Sequence, residues 1–369
     1  MTDQSQYAEL LAKLDEKTIY LQPSGYDFII KPIPDSDHFG ELDPRVYNVL
    51  LQHADPISSA GSLSVDPADV SGFVKQIRAM MGWANDDVTR SPIRTVSQTI
   101  PGTYGPIPVR IYTPSQQGRL PAVVFIHGGG FIGGSVDVVE NPCKSLAEKA
   151  GAVVISVDYR LAPEHPFPAG LTDCFEAVQW VHAHADEIGV NPEQIAVAGD
   201  SAGGNLATVC ALMDKNLGTH MIRFQALIYP AVNIAGVETE DFSWNLEKYD
   251  IRNHREHIVE IVKGLGQSKD LFFGLYLGSK ENLLTDPYVS PLLADDLSGM
   301  PETLIVVAEY DYLSVECEAY AKKLSRSGVG TKLIQYNGMD HAFIDKIGLY
   351  PQAEDCMGEI AKELRRIFS

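Results

Sequence analysis

The sequence predicts an α/β fold: a mainly parallel sheet of eight strands that helices cover on both faces. Beyond about residue 93, short apolar runs typical of buried strands alternate with longer segments of helical periodicity. Such alternation indicates a parallel sheet, because the connection between two parallel strands is long and usually contains a helix. The chain of 369 residues is long enough to bury a large core around this sheet.

The predicted elements follow one another along the chain. The strands are expected at residues 93–100, 107–113, 121–126, 152–157, 194–199, 223–229, 303–308 and 331–336. The helices are expected at residues 139–150, 170–188, 202–217, 313–327 and 352–367. Residues 1–90 and 232–290 lie outside this alternation. In the first of these segments, apolar residues at 46–51 and 73–81 have helical spacing, so we expect these stretches to be packed and not solvated.

A serine lies at the sharp turn between a predicted strand and the helix that follows it. Residues 199–205 read Gly-Asp-Ser-Ala-Gly-Gly-Asn, after the strand pattern at 195–198 and before the helical pattern at 206–212. Small residues tolerate the strained backbone that lifts a serine hydroxyl clear of the sheet. The N-terminus of the helix directs N–H groups toward developing negative charge. Ser201 is the predicted nucleophile; the same short pattern without this context would fit an ordinary turn.

A glycine-rich loop supplies candidate donors for an oxyanion. Residues 127–131 read His-Gly-Gly-Gly-Phe and directly follow the strand pattern at 121–126. Glycines let backbone N–H groups approach a substrate oxygen, because no Cβ atom stands in the way. The predicted oxyanion donors are the N–H groups of Gly129, Gly130 and Ala202, and Gly128 is a less favoured neighbour. Alone, this stretch would fit a flexible loop after a strand.

The general base is expected on a loop after a late strand, since chemistry in doubly wound sheets collects at the carboxyl ends of the strands. His341 fits, because it lies just past the strand at 331–336. Four other histidines lie in helical stretches and are expected to be solvated: His182, His184, His254 and His257. The orienting acid is expected after the strand at 303–308, where Asp311 is preferred over its rivals Glu309 and Asp340.

Together these segments resemble the hormone-sensitive-lipase-like family of α/β-hydrolases, and in particular its bacterial family IV carboxylesterases. The match is carried by HGGGF at 127–131, DYRLAPEHPFPA at 158–169, GDSAGGN at 199–205, and the segments around Asp311 and His341. It covers roughly residues 95–369. The chain order of serine, acid and histidine is the order found in α/β-hydrolases.

The residue before the serine indicates one branch of the family, and three residues near the acid and the histidine differ from the family pattern. Asp200 before the serine is similar to the GDSAG branch, in contrast to the branch that has threonine there. Tyr312 stands where proline commonly follows the acid, and Asp340 and Ala342 are unusual neighbours of the histidine. None of these differences removes a catalytic group.

What the resemblance implies is a serine carboxylesterase without a cofactor or metal, under a helical cap. Residues 1–90 would form the N-terminal part of the cap and residues 232–290 the cap insertion, with the catalytic domain at 91–231 and 291–369. Soluble esters with short to medium acyl chains are the expected substrates. Three apolar residues of the cap are expected to influence acyl-chain preference: Phe73, Met80 and Trp244.

Composition agrees with this interpretation. A net charge of −20 argues against binding to nucleic acid or to an anionic membrane, both of which need basic patches. The five cysteines are widely spaced and form no C-x-x-C pair, which favours buried reduced thiols. The N-terminus lacks the pattern of a signal peptide, and no apolar stretch is long enough to span a bilayer. A cytoplasmic location is expected, and a homodimer remains an alternative to the monomer.

Other functions use similar parts. An amidase or peptidase would use the same serine, histidine and acid, so these motifs do not separate it from an esterase. A ligand-binding member of the fold without activity, similar to the plant gibberellin receptors, is disfavoured because His341 is present where such proteins lack the base. Metal-dependent hydrolysis is unsupported, since no group of histidines and carboxylates has ligand spacing.

Overall fold

A computed structural model describes residues 4–22, 25–52 and 69–369. The rest of the predicted N-terminal cap segment lies outside the described residues. One mixed sheet of ten strands organises the described part. The strands are β1 Ile19–Leu21, β2 Asp27–Lys31, β3 Arg94–Ile100, β4 Ile107–Thr113, β5 Leu120–Ile126, β6 Val153–Val157, β7 Val190–Asp200, β8 Ile222–Ile228, β9 Glu302–Tyr310 and β10 Thr331–Asp340.

The order of the strands brings distant parts of the chain together. Across the sheet it is β1-β2-β10-β9-β8-β7-β5-β6-β4-β3. From β2 to β6 in this order, each strand runs parallel to the next, while the outer β1, β4 and β3 pair antiparallel. The carboxyl ends of parallel strands meet at one edge, so the loops after β5, β7, β9 and β10 are neighbours in space.

Helices cover both faces of this sheet. In chain order they are α1 Gln4–Glu16, α2 Pro44–Gln52, α3 Val70–Met80, α4 Glu140–Ala150, α5 Ala169–Ala183, α6 Ala185–Ile188, α7 Ala202–Leu217, α8 Arg255–Leu277, α9 Ser314–Arg326 and α10 Pro351–Phe368. Among the described residues, no helix combines the length and the apolar character needed to cross a bilayer. The predicted α/β fold is confirmed.

The predicted count of eight strands is wrong, although all eight of the expected strands are present. Two short runs that the sequence assigned to the cap, Ile19–Leu21 and Asp27–Lys31, form β1 and β2 and belong to the sheet. Strand β2 pairs in parallel with β10, with Phe28 opposite Leu333 and Ile29 opposite Ile334. A five-residue run has little pattern of its own, and its strand conformation depends on pairing with a partner 300 residues away.

The described part of the N-terminal segment packs closely against the rest of the molecule. Leu14 of α1 and Val46 of α2 are fully buried. On α3, which the spacing at 73–81 predicted, Phe73, Val74 and Ile77 are buried. The amphipathic stretches are therefore packed, as expected. The domain boundary at residue 90 stays a prediction. Two strands of the sheet, β1 and β2, lie before it in the chain.

Candidate active site

Ser201 lies at the tip of a strand-turn-helix unit, as predicted. It follows β7 directly, and α7 begins at the next residue. Its backbone has φ 53° and ψ −118°, a conformation that residues other than glycine rarely adopt. The Ser201 N–H donates to the carbonyl of Ile228, 2.8 Å away. Gly203 lies against the carbonyl of Ile126 with no room for a Cβ atom, so the turn needs glycine at this position.

Three predicted site residues meet at the carboxyl edge of the sheet. His341 Nε2 lies 2.9 Å from Ser201 Oγ, and His341 Nδ1 lies 2.7 Å from Asp311 Oδ2. Asp311 follows β9 and His341 follows β10, so each side chain comes from the end of a different strand. This arrangement can move a proton from the serine hydroxyl to an imidazole whose other nitrogen faces a carboxylate.

The carboxylate of Asp311 is held on both oxygens. Its second oxygen, Oδ1, accepts a hydrogen bond of 2.9 Å from the N–H of Leu313, and the side chain is completely buried. The rival Glu309 instead accepts the N–H of Gly338 at 2.7 Å, and burial raises its pKa to about 7. Of the three acids, Asp311 is the one hydrogen-bonded to His341.

The surroundings of His341 favour its protonated form. Burial by itself lowers the pKa of this imidazole, because desolvation disfavours the cation. The negative charge of Asp311 and its hydrogen bond oppose this effect, and the charges of Asp200 and Asp340 add to them. The net result is a pKa of His341 above its ordinary value.

The glycine loop lines the same cavity as Ser201. Gly129 and Gly130 have φ angles of 119° and 60°, which favour glycine at both positions. Within the described part of the chain, no residue accepts a hydrogen bond from the N–H of Gly129, Gly130 or Ala202. The N–H of Gly128, by contrast, donates to Asp200 Oδ1 at 2.8 Å. Gly128 is therefore engaged in fixing the loop.

Asp200 ties the glycine loop to the serine turn from a buried position. Burial raises its pKa to about 8, with a further contribution from the charge of Asp345 and an opposing one from the Gly128 N–H. On the other side of the loop, His127 Nδ1 lies 2.8 Å from the Gly128 carbonyl, and the His127 carbonyl accepts the hydroxyl of Tyr159 at 2.9 Å. The loop is thus supported on two sides.

Comparison with known proteins places this site in a family. Residues 123–345 match the model of a family described as having the alpha/beta hydrolase fold. Esterase LipI of Mycobacterium tuberculosis is 31% identical over 331 residues, which are 88% of this chain and 95% of that protein. The chain belongs to the α/β hydrolase family. The predicted resemblance to this group is confirmed.

Other relatives of this α/β hydrolase carry related names. An arylesterase of Saccharolobus solfataricus is 33% identical over 258 residues, 70% of this chain and 79% of that protein. Among solved structures, the Pyrobaculum calidifontis esterase superposes with a TM-score of 0.71 at 37% identity, and the match covers 88% of this chain and 98% of that one. The likeness extends well beyond the motifs.

A cavity of about 170 Å³ opens beside Ser201 in the hydrolase. Its lining is mainly apolar and comes from α2, α3 and α8 and from loops that include those after α3, β5, β9 and β10. The described lining residues include Met80, Trp83, Val138, Leu265, Phe272 and Phe273. Of the three cap residues expected to influence chain length, Met80 lines the cavity, whereas Phe73 and Trp244 are absent from the described lining. Phe73 is instead one of the buried residues of α3.

One residue that the sequence analysis missed connects α3 to the glycine loop. Arg78 Nε donates to the carbonyl of Ile132 at 2.6 Å, and its Nη2 donates to the carbonyl of Ala162 at 3.0 Å. The guanidinium also forms an ion pair with Glu164. Nothing in the amphipathic helical pattern distinguishes this arginine, because its partners lie more than fifty residues away in the chain.

Three of the four competing histidines are less exposed to solvent than expected. His182 is exposed, but the remaining three are half-buried. His184 Nδ1 lies 3.0 Å from the carbonyl of Trp180, and the ring of His254 stacks on Tyr47 with centroids 4.2 Å apart. These histidines have structural contacts, and none of the four is in the described lining of the cavity.

One cluster of acids among the described residues has the spacing of a metal site. Asp15, Asp355 and Glu359 have oxygens within 4.8 Å of one another. Lys31 Nζ already lies among them, at 3.7, 3.1 and 2.7 Å respectively. The ammonium group supplies the positive charge at this point, so the cluster is an ion-pair network.

Proposed function

We propose that Ser201, His341 and Asp311 are the catalytic triad of a serine carboxylesterase. The observation that carries this proposal is the hydrogen-bonded chain from Ser201 Oγ through the imidazole to the buried carboxylate, next to an apolar cavity. A carboxylate at Nδ1 holds the imidazole in the tautomer that leaves Nε2 free to accept the serine proton. The relatives support ester hydrolysis, and the chain is a carboxylic ester hydrolase.

The reaction follows from these roles. Ser201 Oγ attacks the ester carbonyl while His341 takes its proton, and the N–H groups of Gly129, Gly130 and Ala202 stabilise the oxyanion. The intermediate collapses when His341 returns the proton to the departing alcohol, which leaves an acyl group on the serine. Water then attacks this acyl-enzyme, with His341 again as base, and releases the acid and the free serine.

The expected substrates are small esters with short to medium acyl chains. The cavity beside Ser201 is mainly apolar, and helices α3 and α8 contribute aliphatic, thioether and aromatic side chains to it. Such a lining favours acyl or alcohol groups without charge. A series of p-nitrophenyl esters from acetate to dodecanoate, with a p-nitroanilide beside them, measures chain length and separates esterase from amidase activity.

The decisive variant is Ser201→Ala, with Ser135→Ala as its matched control because Ser135 lines the same cavity. Ser201→Ala should reduce turnover by several orders of magnitude and leave only the rate that binding and the oxyanion hole provide. It should also abolish labelling by a fluorophosphonate probe, whereas Ser135→Ala should keep both activity and labelling. Labelling that persists on another serine of Ser201→Ala would contradict the assignment.

Two further expectations stay predictions. All five cysteines are buried and form no disulfide bond, which agrees with a reducing compartment such as the cytoplasm. Fractionation of the source cells tests this location. Light scattering during gel filtration distinguishes the homodimer from the monomer.

A further inference from the structure

Two hydrogen bonds of 2.9 Å join the segment before α8 to the end of β9 and to the loop that carries Asp311. The hydroxyl of Tyr249 donates to the carbonyl of Asp311 at 2.9 Å. In the reverse direction, the hydroxyl of Tyr310 donates to the carbonyl of Asp250, also at 2.9 Å. Two adjacent residues of one segment are therefore paired with two adjacent residues of the other, and each pair contributes one tyrosine. We call Tyr249 and Tyr310 the tyrosine clamp.

Aromatic packing adds one more residue from each of the two segments to this contact. The ring of Trp244 stacks on Tyr312 with centroids 5.2 Å apart and planes 26° apart, and its Nε1 donates to the Tyr249 hydroxyl at 3.3 Å. Tyr312 also packs against α8, where a Cβ atom on Gly266 would come within 2.7 Å of the ring. Tyr312 is the residue that departs from the proline common in the family, and here it has a packing role.

Apart from His341 and Tyr249, the hydrogen-bond donors to Asp311 follow it closely in the chain. Its side chain accepts from the N–H of Leu313, and its carbonyl accepts from the N–H and the hydroxyl of Ser314. Leu313 directly precedes α9 and Ser314 is its first residue, so these donors fix Asp311 relative to the start of that helix. The clamp is different, because Tyr249 reaches the acid from a separate part of the chain.

We propose that the tyrosine clamp positions Asp311 for its contact with His341, and that the stack of Trp244 on Tyr312 supports the clamp. The proposal rests on the proposed function, in which Asp311 is the acid of the triad. Catalytic contacts need side chains held to a fraction of an ångström, and that precision comes from the groups that support them. Tyr249 and Tyr310 touch neither the proposed nucleophile nor the proposed base through any hydrogen bond of the structure, so they are positioning residues.

The test is the double variant Tyr249→Phe/Tyr310→Phe, which removes both hydroxyls and keeps both rings. We expect kcat on p-nitrophenyl acetate to fall about tenfold, far less than the roughly 10⁴-fold loss known when a triad acid is replaced. KM should change little, because the cavity lining is intact. The acid limb of the kcat/KM profile should move to lower pH, since a looser carboxylate stabilises the imidazolium less.

The matched control is Tyr320→Phe, which removes a buried hydroxyl that lies 2.9 Å from the hydroxyl of Thr208. It should lower thermal stability by a similar amount and leave kcat and the acid limb unchanged. At Tyr312, phenylalanine should preserve kcat because it keeps the stack, whereas alanine should lower it. The low-field proton NMR signal of His341 Nδ1–H reports the contact directly and should shift in the clamp variant.

The outcomes separate the clamp from the triad. A clamp variant that loses stability like the control but keeps kcat, the acid limb and the NMR signal would overturn the positioning role. Full activity in an Asp311→Asn variant would instead overturn the proposed triad, on which the clamp depends. If the clamp variant fails to fold, the same readouts on Tyr249→Phe alone decide the question, with a smaller expected loss of about threefold.

Discussion

Replacing Asp311 by asparagine tests the proposed triad where the sequence left rivals open. The carboxylate is completely buried, with one oxygen 2.7 Å from His341 Nδ1 and the other 2.9 Å from the N–H of Leu313. Asparagine has the same shape and can keep its carbonyl toward Leu313. Its NH₂ group would then face Nδ1, which forces the tautomer whose proton lies on Nε2. That tautomer cannot accept the proton of Ser201.

The size of the effect follows from the charge that is removed. Two unit charges a few ångströms apart interact by about 4 kcal/mol at an effective dielectric constant of about 20. Loss of that stabilisation from the developing imidazolium corresponds to nearly 10³-fold in rate, since each 1.36 kcal/mol is about tenfold. The wrong tautomer adds to this loss. We therefore expect kcat of Asp311→Asn to fall by about 10³- to 10⁴-fold.

The assay is the steady-state hydrolysis of p-nitrophenyl acetate, with thermal unfolding to check that the variant is folded. Glu309→Gln and Asp340→Asn are the matched controls, because each replaces the carboxylate of one rival acid by an amide. Glu309 accepts a backbone N–H, and His341 Nδ1 has its partner in Asp311, so both controls should cost less than tenfold. A folded Asp311→Asn within tenfold of the wild type, or a larger loss in Asp340→Asn, would refute the reasoning.

Three further predictions concern pH, the N-terminal segment and the cavity. Only neutral His341 accepts the serine proton, and its pKa is raised, so kcat/KM should begin to fall on acidification above the ordinary histidine value of about 6.5. A pH profile of kcat/KM checks this prediction, and an acid limb with its midpoint below the ordinary histidine pKa would contradict it. Deleting residues 1–90 should give an insoluble or inactive protein, because it removes β2 from β10 and exposes apolar surface; a soluble and active truncation would contradict the packing. Met80→Ala should change the ratio of kcat/KM for hexanoate and acetate esters by about tenfold, because pockets discriminate by about 1–3 kcal/mol per methylene. Trp244→Phe, outside the described lining, should leave that ratio unchanged.

The central strands could be predicted from sequence because each carries its own signal. The runs that became β5 and β9 are continuous and apolar, as expected of strands buried on both faces, and the structure buries nearly all of their residues. Strand β10 was predicted to end at residue 336 but continues to Asp340. Its last four residues read Asn-Gly-Met-Asp and lack an apolar run, and pairing of Asp340 with Tyr310 across a register shift extends the strand.

The site shows the same division between local and distant information. Ser201, His341 and the glycine loop could be predicted because each lies in a short motif beside a strong strand pattern. The sequence preferred Asp311 over Glu309, but only the structure shows that Asp311 contacts His341 while Glu309 accepts the N–H of Gly338. Arg78 and Tyr249 had no motif, because their partners are carbonyl groups far along the chain.

By itself, the sequence determined the α/β class, the order of serine, acid and histidine, and the glycine loop, because these depend on local periodicity and on turns that only small residues can form. The tertiary structure alone decided that Ile19–Leu21 and Asp27–Lys31 join the sheet. It also decided that Met80 lines the cavity while Trp244 packs on Tyr312, and that Tyr249 donates a hydrogen bond to the carbonyl of Asp311. These features arise from pairing and packing between segments that are distant along the chain. The free energy of such contacts belongs to the assembled fold, and no single stretch of sequence carries it.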